Sequence, residues 1–256
     1  MKIVVAIKQV PSRDSQLKVN SSGTWIEDAD LAWEINEPDA YALEEGLQLR
    51  EKLTGEVVVL CAGPDGAAQT IREALAKGAD RAIHIQTERT PPGDPLVLAR
   101  MMAKALESEK PDLVLTGLQS DDLGYGQTGV ILAETMGLPH ATIVMNVEAE
   151  GKGIRVKREL EDGWFQNVEM PLPALLTIQS GATKLRYATL MGIKKAKTKE
   201  VRRIAASELV GADKPSIRLD RIYLPEKTKR SQIFDGSPKE AAAQLIEKLR
   251  FEARVL

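Results

Sequence analysis

The chain has little equipment for chemistry of its own. One cysteine, Cys61, among 256 residues excludes an intrachain disulfide framework and any multi-cysteine zinc or iron–sulfur site. Two histidines, His84 and His140, stand far apart in sequence and leave little for metal ligation or general-base work. Three Phe, three Trp and four Tyr make the core an aliphatic one. Charge of neither sign dominates: 35 Lys and Arg against 37 Asp and Glu give −2, which disfavours binding to nucleic acid through overall charge. No stretch approaches the roughly 18 apolar residues of a spanning helix. The IVVAI run after Lys2 is too short for the apolar core of a secretory signal. The expected address is cytoplasmic, which a lone free cysteine fits. These absences predict a protein without catalytic residues or a metal, which works through a bound cofactor or a partner.

What is present is core material. With 43% hydrophobic and 28% charged residues the composition is that of a globular domain. At roughly 150 residues per domain the length predicts one large domain, or one with an extension. Apolar runs of strand length alternate with segments of helical period. Strands are expected at Lys2 to Ile7, Glu56 to Ala62, Arg81 to Gln86 and Asp112 to Gly117, the first two as runs of the kind buried on both faces. Between them fall helices from Pro38 to Leu53, around Ile71 to Leu75, after the Asp94-Pro95 cap, and from Thr128 to Met136. Asn36 is placed to cap the first of these, and Asn36 and Asp39 together read as a capping pair. Strands joined by crossover helices predict a parallel sheet covered on both faces.

The rhythm changes after His140. Strand candidates follow one another with glycine turns at Gly151 to Gly153 and Asp162-Gly163 and no helix between them, which predicts antiparallel hairpins at one edge. From Gly181 onward the chain reads as an extension: a basic run IKKAKTKEVRR, a short strand candidate SIRLDRIYL, and an amphipathic helix from about Pro238 to Phe251.

Gly124 to Gly129 spell G-x-G-x-x-G, with Glu148 downstream at the spacing of a ribose-binding acid. A dinucleotide fingerprint puts its first glycine directly after the first strand, whereas here LQSDDL separates Gly117 from Gly124. The reading that survives is a polar loop feeding a helix whose free N–H groups, from about Gly126 to Gly129, hold a nucleotide phosphate. Other strand ends converge on the same crevice. There Ala6, Ala62 and Gly63 let a flat base approach the backbone, and Asn36, Asp39 and Asp122 can read its edge or the ribose. Cys61 reads as a small buried hydrophobe.

The segment VKRELEDGWFQNVEMPLPALLT, Val156 to Thr177, resembles the signature of the electron-transfer flavoprotein β subunits, with Arg158, Glu161, Asp162, Gly163, Gln166, Val168, Pro173, Leu175, Leu176 and Thr177 in register. VVAIKQV, EINEPDAYALEE, TIREALAKGADRAIHI, DLVLTGLQSDD with GQTG, and RYATLMGIKKAKTK extend the resemblance over nearly the whole chain. It implies an α/β fold: a single Rossmann-like, adenine nucleotide-binding domain with a mostly parallel sheet, antiparallel hairpin additions and a C-terminal arm. Residues 1–180 would form the nucleotide-binding domain. Residues 181–256 would form a recognition loop and an extension packing on the partner subunit.

Such proteins are αβ heterodimers with one FAD, bound mainly by the α subunit, and an AMP buried in the β subunit. They take electrons from acyl-CoA and related dehydrogenases and pass them to a membrane quinone oxidoreductase. By motif, the AMP site implied here uses Ala6, Asn36 to Asp39, Cys61, Ala62, and the loop Gln119 to Val130, with Gln119, Asp122, Gly126, Gln127, Thr128, Gly129 and Val130 as its candidates. The resemblance also implies a segment that docks the dehydrogenase through Leu190, flanked by Tyr187, Met191 and Ile193 and followed by Lys194, Lys195, Lys197 and Lys199. Glu159 would face the flavin domain of the α subunit. At Arg13 and Pro38 the chain departs from relatives that carry aromatic residues near the flavin. Two alternatives stay open: a flavin-bifurcating relative with a second FAD in place of AMP, and a free-standing adenine-nucleotide sensor.

Overall fold

A computed structural model describes residues 1–87, 93–150, 153–209, 215–225 and 231–256, the side chain of Glu150 excepted. The chain divides into two compact units, Met1–Arg221 and Ile222–Leu256.

The first unit begins with β1 (Lys2–Ile7), followed by β2 (Gln9–Pro11), β3 (Trp33–Ile35), α1 (Glu37–Leu53), β4 (Glu56–Gly63), α2 (Ala68–Lys77), β5 (Arg81–Gln86), α3 (Pro95–Leu106), β6 (Leu113–Gly117) and α4 (Thr128–Met136). Then come β7 (His140–Glu150), β8 (Gly153–Glu159), β9 (Phe165–Pro171), β10 (Ala174–Ile178), α5 (Leu190–Ala196), β11 (Val201–Ala205) and the short α6 (Ala206–Leu209). One nine-stranded sheet has the order β11-β5-β4-β1-β6-β10-β7-β8-β9. From β11 to β7 all neighbours run parallel, and β8 and β9 extend that edge antiparallel.

The continuous apolar runs are explained by burial on both faces. Ile3, Val5, Val57, Val59 and Leu115 pack with Leu43, Leu47, Ile71 and Leu75 of α1 and α2. Their alternates Val4, Val58, Leu60, Ile83 and Val114 pack with Val97, Met101, Met102 and Leu132 of α3 and α4. Successive side chains of a strand point to opposite faces, so each run feeds both layers. At the amino end of the sheet, Arg81 pairs with Glu56 at 2.7 Å and Glu109 at 2.6 Å, and Lys2 with Glu109 at 3.4 Å. The carboxyl end carries the open crevice. From β1 the chain moves outward through β4 and β5, then crosses by α3 to β6 on the other side of β1. The reversal makes the gap between β1 and β6 a topological switch point, where open α/β sheets bind ligands.

Several details differ from the sequence reading. β10, expected among the hairpins, lies inside the parallel sheet between β6 and β7. All five of its residues are buried, as its unbroken ALLTI run requires. β11 is hidden in the basic segment, where Arg202 and Arg203 are exposed and Ile204 is buried, yet it pairs in parallel with β5. Residues 181–209 therefore belong to the first unit, and the division at Arg221 differs from the expected boundary at residue 180. SIRLDRIYL forms no strand; the amides of Ser216 and Ile217 instead donate to Asp94 Oδ2 at 2.5 and 3.3 Å. The other oxygen of Asp94 accepts from Leu96 N at 2.8 Å, the expected cap of α3. Residues 151–152 of the expected glycine turn lie outside the described residues.

The second unit contains α7 (Pro238–Phe251), started by a Ser237/Glu240 capping box. None of its residues is buried, and Leu245, Ile246 and Phe251 are exposed. Because the core lies within Met1–Arg221, a chain ending at Arg221 is expected to keep one cooperative denaturant transition. Its midpoint should stay close to that of the full chain; loss of cooperativity would show that residues 222–256 belong to the core.

Candidate nucleotide pocket

The crevice at the switch point is lined by Ala6, Ile7 and Lys8 from the end of β1, Ala62 from β4, Thr116 and Gly117 from β6, and Asn36 and Asp39 from the start of α1. Pro95, Leu98 and Met102 of α3 form an apolar wall. The loop after β6 closes it with Leu118, Gln119, Ser120, Leu123 and Tyr125 to Gly129.

Asp39 holds the two strand ends together. Its Oδ2 accepts from Lys8 N at 2.8 Å and its Oδ1 from Gly117 N at 2.9 Å. A Cβ on Gly117 would stand 2.3 Å from that Oδ1, so only glycine fits there. Asn36 does the same for the loop: its Nδ2 donates to Gln119 O and its Oδ1 accepts from Asp121 N, both at 2.9 Å. Neither side chain caps α1, contrary to the capping expected from sequence. The backbone groups of the neighbouring loop compete for their polar atoms and win.

Lys8, at the strand end expected to reach the crevice, binds the loop by ammonium contacts to Asp122 Oδ1 at 2.6 Å and Ser120 Oγ at 3.3 Å. Asp122 is thus occupied by an ion pair. It lines an adjoining cleft with Lys8, Ala62, Pro11, Trp25 and Trp33. Arg13 ties the outer rim by pairing with Glu37 and with Asp121.

The loop then turns through Gly124 and Gly126, at φ +64° and +63°, into α4. The first bond of that helix runs from Ile131 N to Gln127 O, so the N–H groups of Thr128, Gly129 and Val130 precede the ladder. With the helix dipole they form a seat for an anion. Gly129 lets α4 settle this close to the sheet, since a Cβ there would lie 2.6 Å from Thr116 Oγ1 and 2.7 Å from Thr177 Cγ2. An apolar wall, small residues at three strand ends and an anion seat thus line one crevice.

The structure brings together Ala6, Asn36, Asp39, Ala62, Gln119, Gly126, Gln127, Thr128 and Gly129. Val130 follows them on α4, half-buried and outside the lining. Cys61 is set apart: it is fully buried in the layer beneath α1 and α2, on the face opposite Ala62. Burial there pushes its thiol up to about 12. Glu148 lies in β7 opposite Arg155 of β8, away from the crevice, so the ribose role considered for it is excluded. Glu159 ends β8 opposite Phe165. The wall residues Leu98 and Met102 were missed because only the crossing of α3 at the switch point makes them neighbours of β1.

Tyr187, Leu190, Met191 and Ile193 gather at the start of α5 and are 93%, 81%, 61% and 46% exposed. Lys194, Lys195 and Lys197 follow on and beyond that helix. Lys199 turns inward, donating to the carbonyls of Leu75 and Ala79, and so leaves the exposed cluster.

The fold defines an α/β protein with an open crevice at the topological switch point of its sheet. The family profile described as "Electron transfer flavoprotein domain" matches residues 23–209. The chain is 36% identical over 258 residues to an electron transfer flavoprotein subunit beta of Methylophilus methylotrophus, covering 96% of this chain and 97% of that one. It is also 36% identical over 258 residues to the Bradyrhizobium diazoefficiens subunit beta, covering all of both. The human subunit beta is 34% identical over 261 residues, covering 100% of this chain and 99% of that one. The chain belongs to the β subunits of the electron transfer flavoprotein family. Among the described residues no helix is long and apolar enough to cross a membrane.

Burial pushes the Asp39 carboxyl up to about 7 against the lowering pull of its hydrogen bonds, the Lys8 amide first. Its folded pKa therefore exceeds the unfolded one, and the stability it contributes is fully present below about 3.9 and lost as pH rises through about 7. Glu45, buried on α1 and also raised to about 7, acts in the same direction. Nucleotide-free Asp39→Asn should show a shallower loss of stability between pH 4 and 7 than the parent, measured by denaturant melts. Parallel curves would contradict the assignment. At low pH the variant should still be weaker by about 1–3 kcal/mol, because an amide leaves one strand-end N–H facing a donor.

Proposed function

We propose that this chain is the β subunit of a heterodimeric electron carrier, holding one AMP in the switch-point crevice beside an α subunit that carries FAD. Its donors are acyl-CoA and related dehydrogenases, and its acceptor is a membrane quinone oxidoreductase. The observation that carries this reading is the crevice itself, with its small strand ends, apolar wall and anion seat, in a chain of this family. The nucleotide's role is structural: it fills the gap between β1 and β6 and braces the loop 119–130. When bound, FAD supplies the redox chemistry. This chain contributes placement and partner choice. The arm 222–256, with its exposed apolar residues, and the hairpin bearing Glu159 are its surfaces toward the α subunit.

One observation supports a second reading, FAD in place of AMP. The cleft lined by Trp25 and Trp33 shares Lys8 and Ala62 with the nucleotide crevice, so a ligand longer than AMP has somewhere to extend.

The segment at α5 serves dehydrogenase docking. An apolar side chain exposed beside a basic cluster has the character of a hot spot with an electrostatic rim. Burying one leucine is worth about 1.5–3 kcal/mol, and each 1.4 kcal/mol is tenfold. Leu190→Ala should raise the dehydrogenase concentration needed for half-maximal reduction by roughly ten- to a hundredfold, with FAD and AMP content unchanged. Equal reduction of variant and parent at limiting concentration would overturn the docking assignment. Neutralising Lys194, Lys195 and Lys197 should flatten the salt dependence of association.

A further inference from the structure

The exposed segment follows a stretch that has no regular structure of its own. Between the end of β10 at Ile178 and the start of α5 at Leu190 the chain forms neither helix nor strand. Such a stretch carries its apolar residues in many directions unless something holds it, and fixing each residue costs conformational entropy. If that cost fell at the moment of docking, affinity would drop accordingly.

The holding contacts come from the middle of α1. Gln48 Nε2 donates to Thr183 Oγ1 at 2.9 Å. Arg186 then makes a fork onto two carboxylates about two turns apart on the same helix. Its Nε and Nη2 reach Glu44 Oε2 and Oε1 at 2.8 and 3.0 Å, and its Nη1 and Nη2 reach Glu51 Oε1 and Oε2 at 2.6 and 3.3 Å. Its backbone N–H adds a further bond to Glu44 Oε2 at 3.2 Å. The Glu44 side chain is only 5% exposed. Burial raises its pKa, but the Arg186 bonds outweigh this and hold the carboxyl below its usual range.

The chain changes character within one residue: Arg186 is pinned, and Tyr187 is 93% exposed. The far side of the segment is fixed just as firmly. A Cβ on Gly192 would lie 2.3 Å from Ala76 O, and Arg72 Nη1 donates to Ala196 O at 2.5 Å. Anchors at both ends leave Leu190 and Met191 as the residues that project.

We propose that Arg186, forked onto Glu44 and Glu51, is a positioning residue for partner docking, ordering the α5 segment in advance so that Leu190 is presented in one direction. This rests on the reading of that segment as a docking surface. Arg186 itself need not touch the partner. The same helix that organises the nucleotide crevice at Asn36 and Asp39 thereby sets the geometry of the docking surface two turns further along.

The test uses the αβ heterodimer with an acyl-CoA dehydrogenase charged with its acyl-CoA. Arg186→Ala and Glu44→Gln should each raise the half-saturating dehydrogenase concentration about three- to tenfold with kcat, FAD content and melting cooperativity unchanged. Amide hydrogen exchange in peptides covering 187–197 should speed up in both variants, while peptides from β1 and β6 stay as they are. In a Leu190→Ala background the Arg186→Ala effect should shrink to less than about twofold, since both changes act through one contact. Unchanged exchange at 187–197, or a full Arg186→Ala effect that persists without Leu190, would overturn the proposal. If Leu190→Ala alone has no effect, the docking reading fails. An effect of Leu190→Ala with none from Arg186→Ala sinks only the positioning role.

Discussion

The arrangement depends on one carboxylate. Asp39 accepts hydrogen bonds from Lys8 N at the end of β1 and from Gly117 N at the end of β6, the two strands between which the sheet reverses its order. A switch point is a place where two loops part and leave backbone donors without a ladder partner. Asp39 satisfies one donor from each side and fixes the width of the gap. The cost is a carboxyl buried where burial pushes its pKa to about 7. Asn36 extends the same principle one turn earlier by holding the loop at Gln119 and Asp121.

Helix α1 therefore works as a beam. Its first turn shapes the crevice, and its middle holds the chain that leads to the exposed residues of α5 through Glu44, Gln48 and Glu51. Substitution in one helix can disturb the crevice and the α5 segment, which share no residue. The shared support also explains why two carboxylates of α1 are buried: Asp39 and Glu44 are each less than a tenth exposed. They serve neighbouring segments rather than the solvent.

Much of the fold was legible in the sequence because the parallel strands are largely aliphatic runs separated by segments of helical period, one of them opened by the Asp94 cap. β10 was harder, since ALLTI follows three hairpin strands and nothing local tells that the chain turns back into the sheet. β11 was masked by its arginines, which stay exposed on an edge strand where only Ile204 is buried. In the crevice, the glycine loop and small strand ends were readable by type and spacing. The roles of Asn36, Asp39 and Asp122 were not. Residue type says that they bind something polar, and only the three-dimensional pairing shows that their partners are backbone amides and Lys8. Cys61 and Ala62 illustrate the same limit: adjacent in a strand, they face opposite layers, and only Ala62 reaches the crevice.

In the proposed function the switch-point crevice holds a mononucleotide that braces the fold, while the flavin belongs to the partner. The most direct test is to denature the purified heterodimer and quantify the released nucleotides by chromatography. The account predicts one AMP and one FAD per heterodimer. Two FAD and no AMP, or no adenine mononucleotide in any preparation, would contradict it.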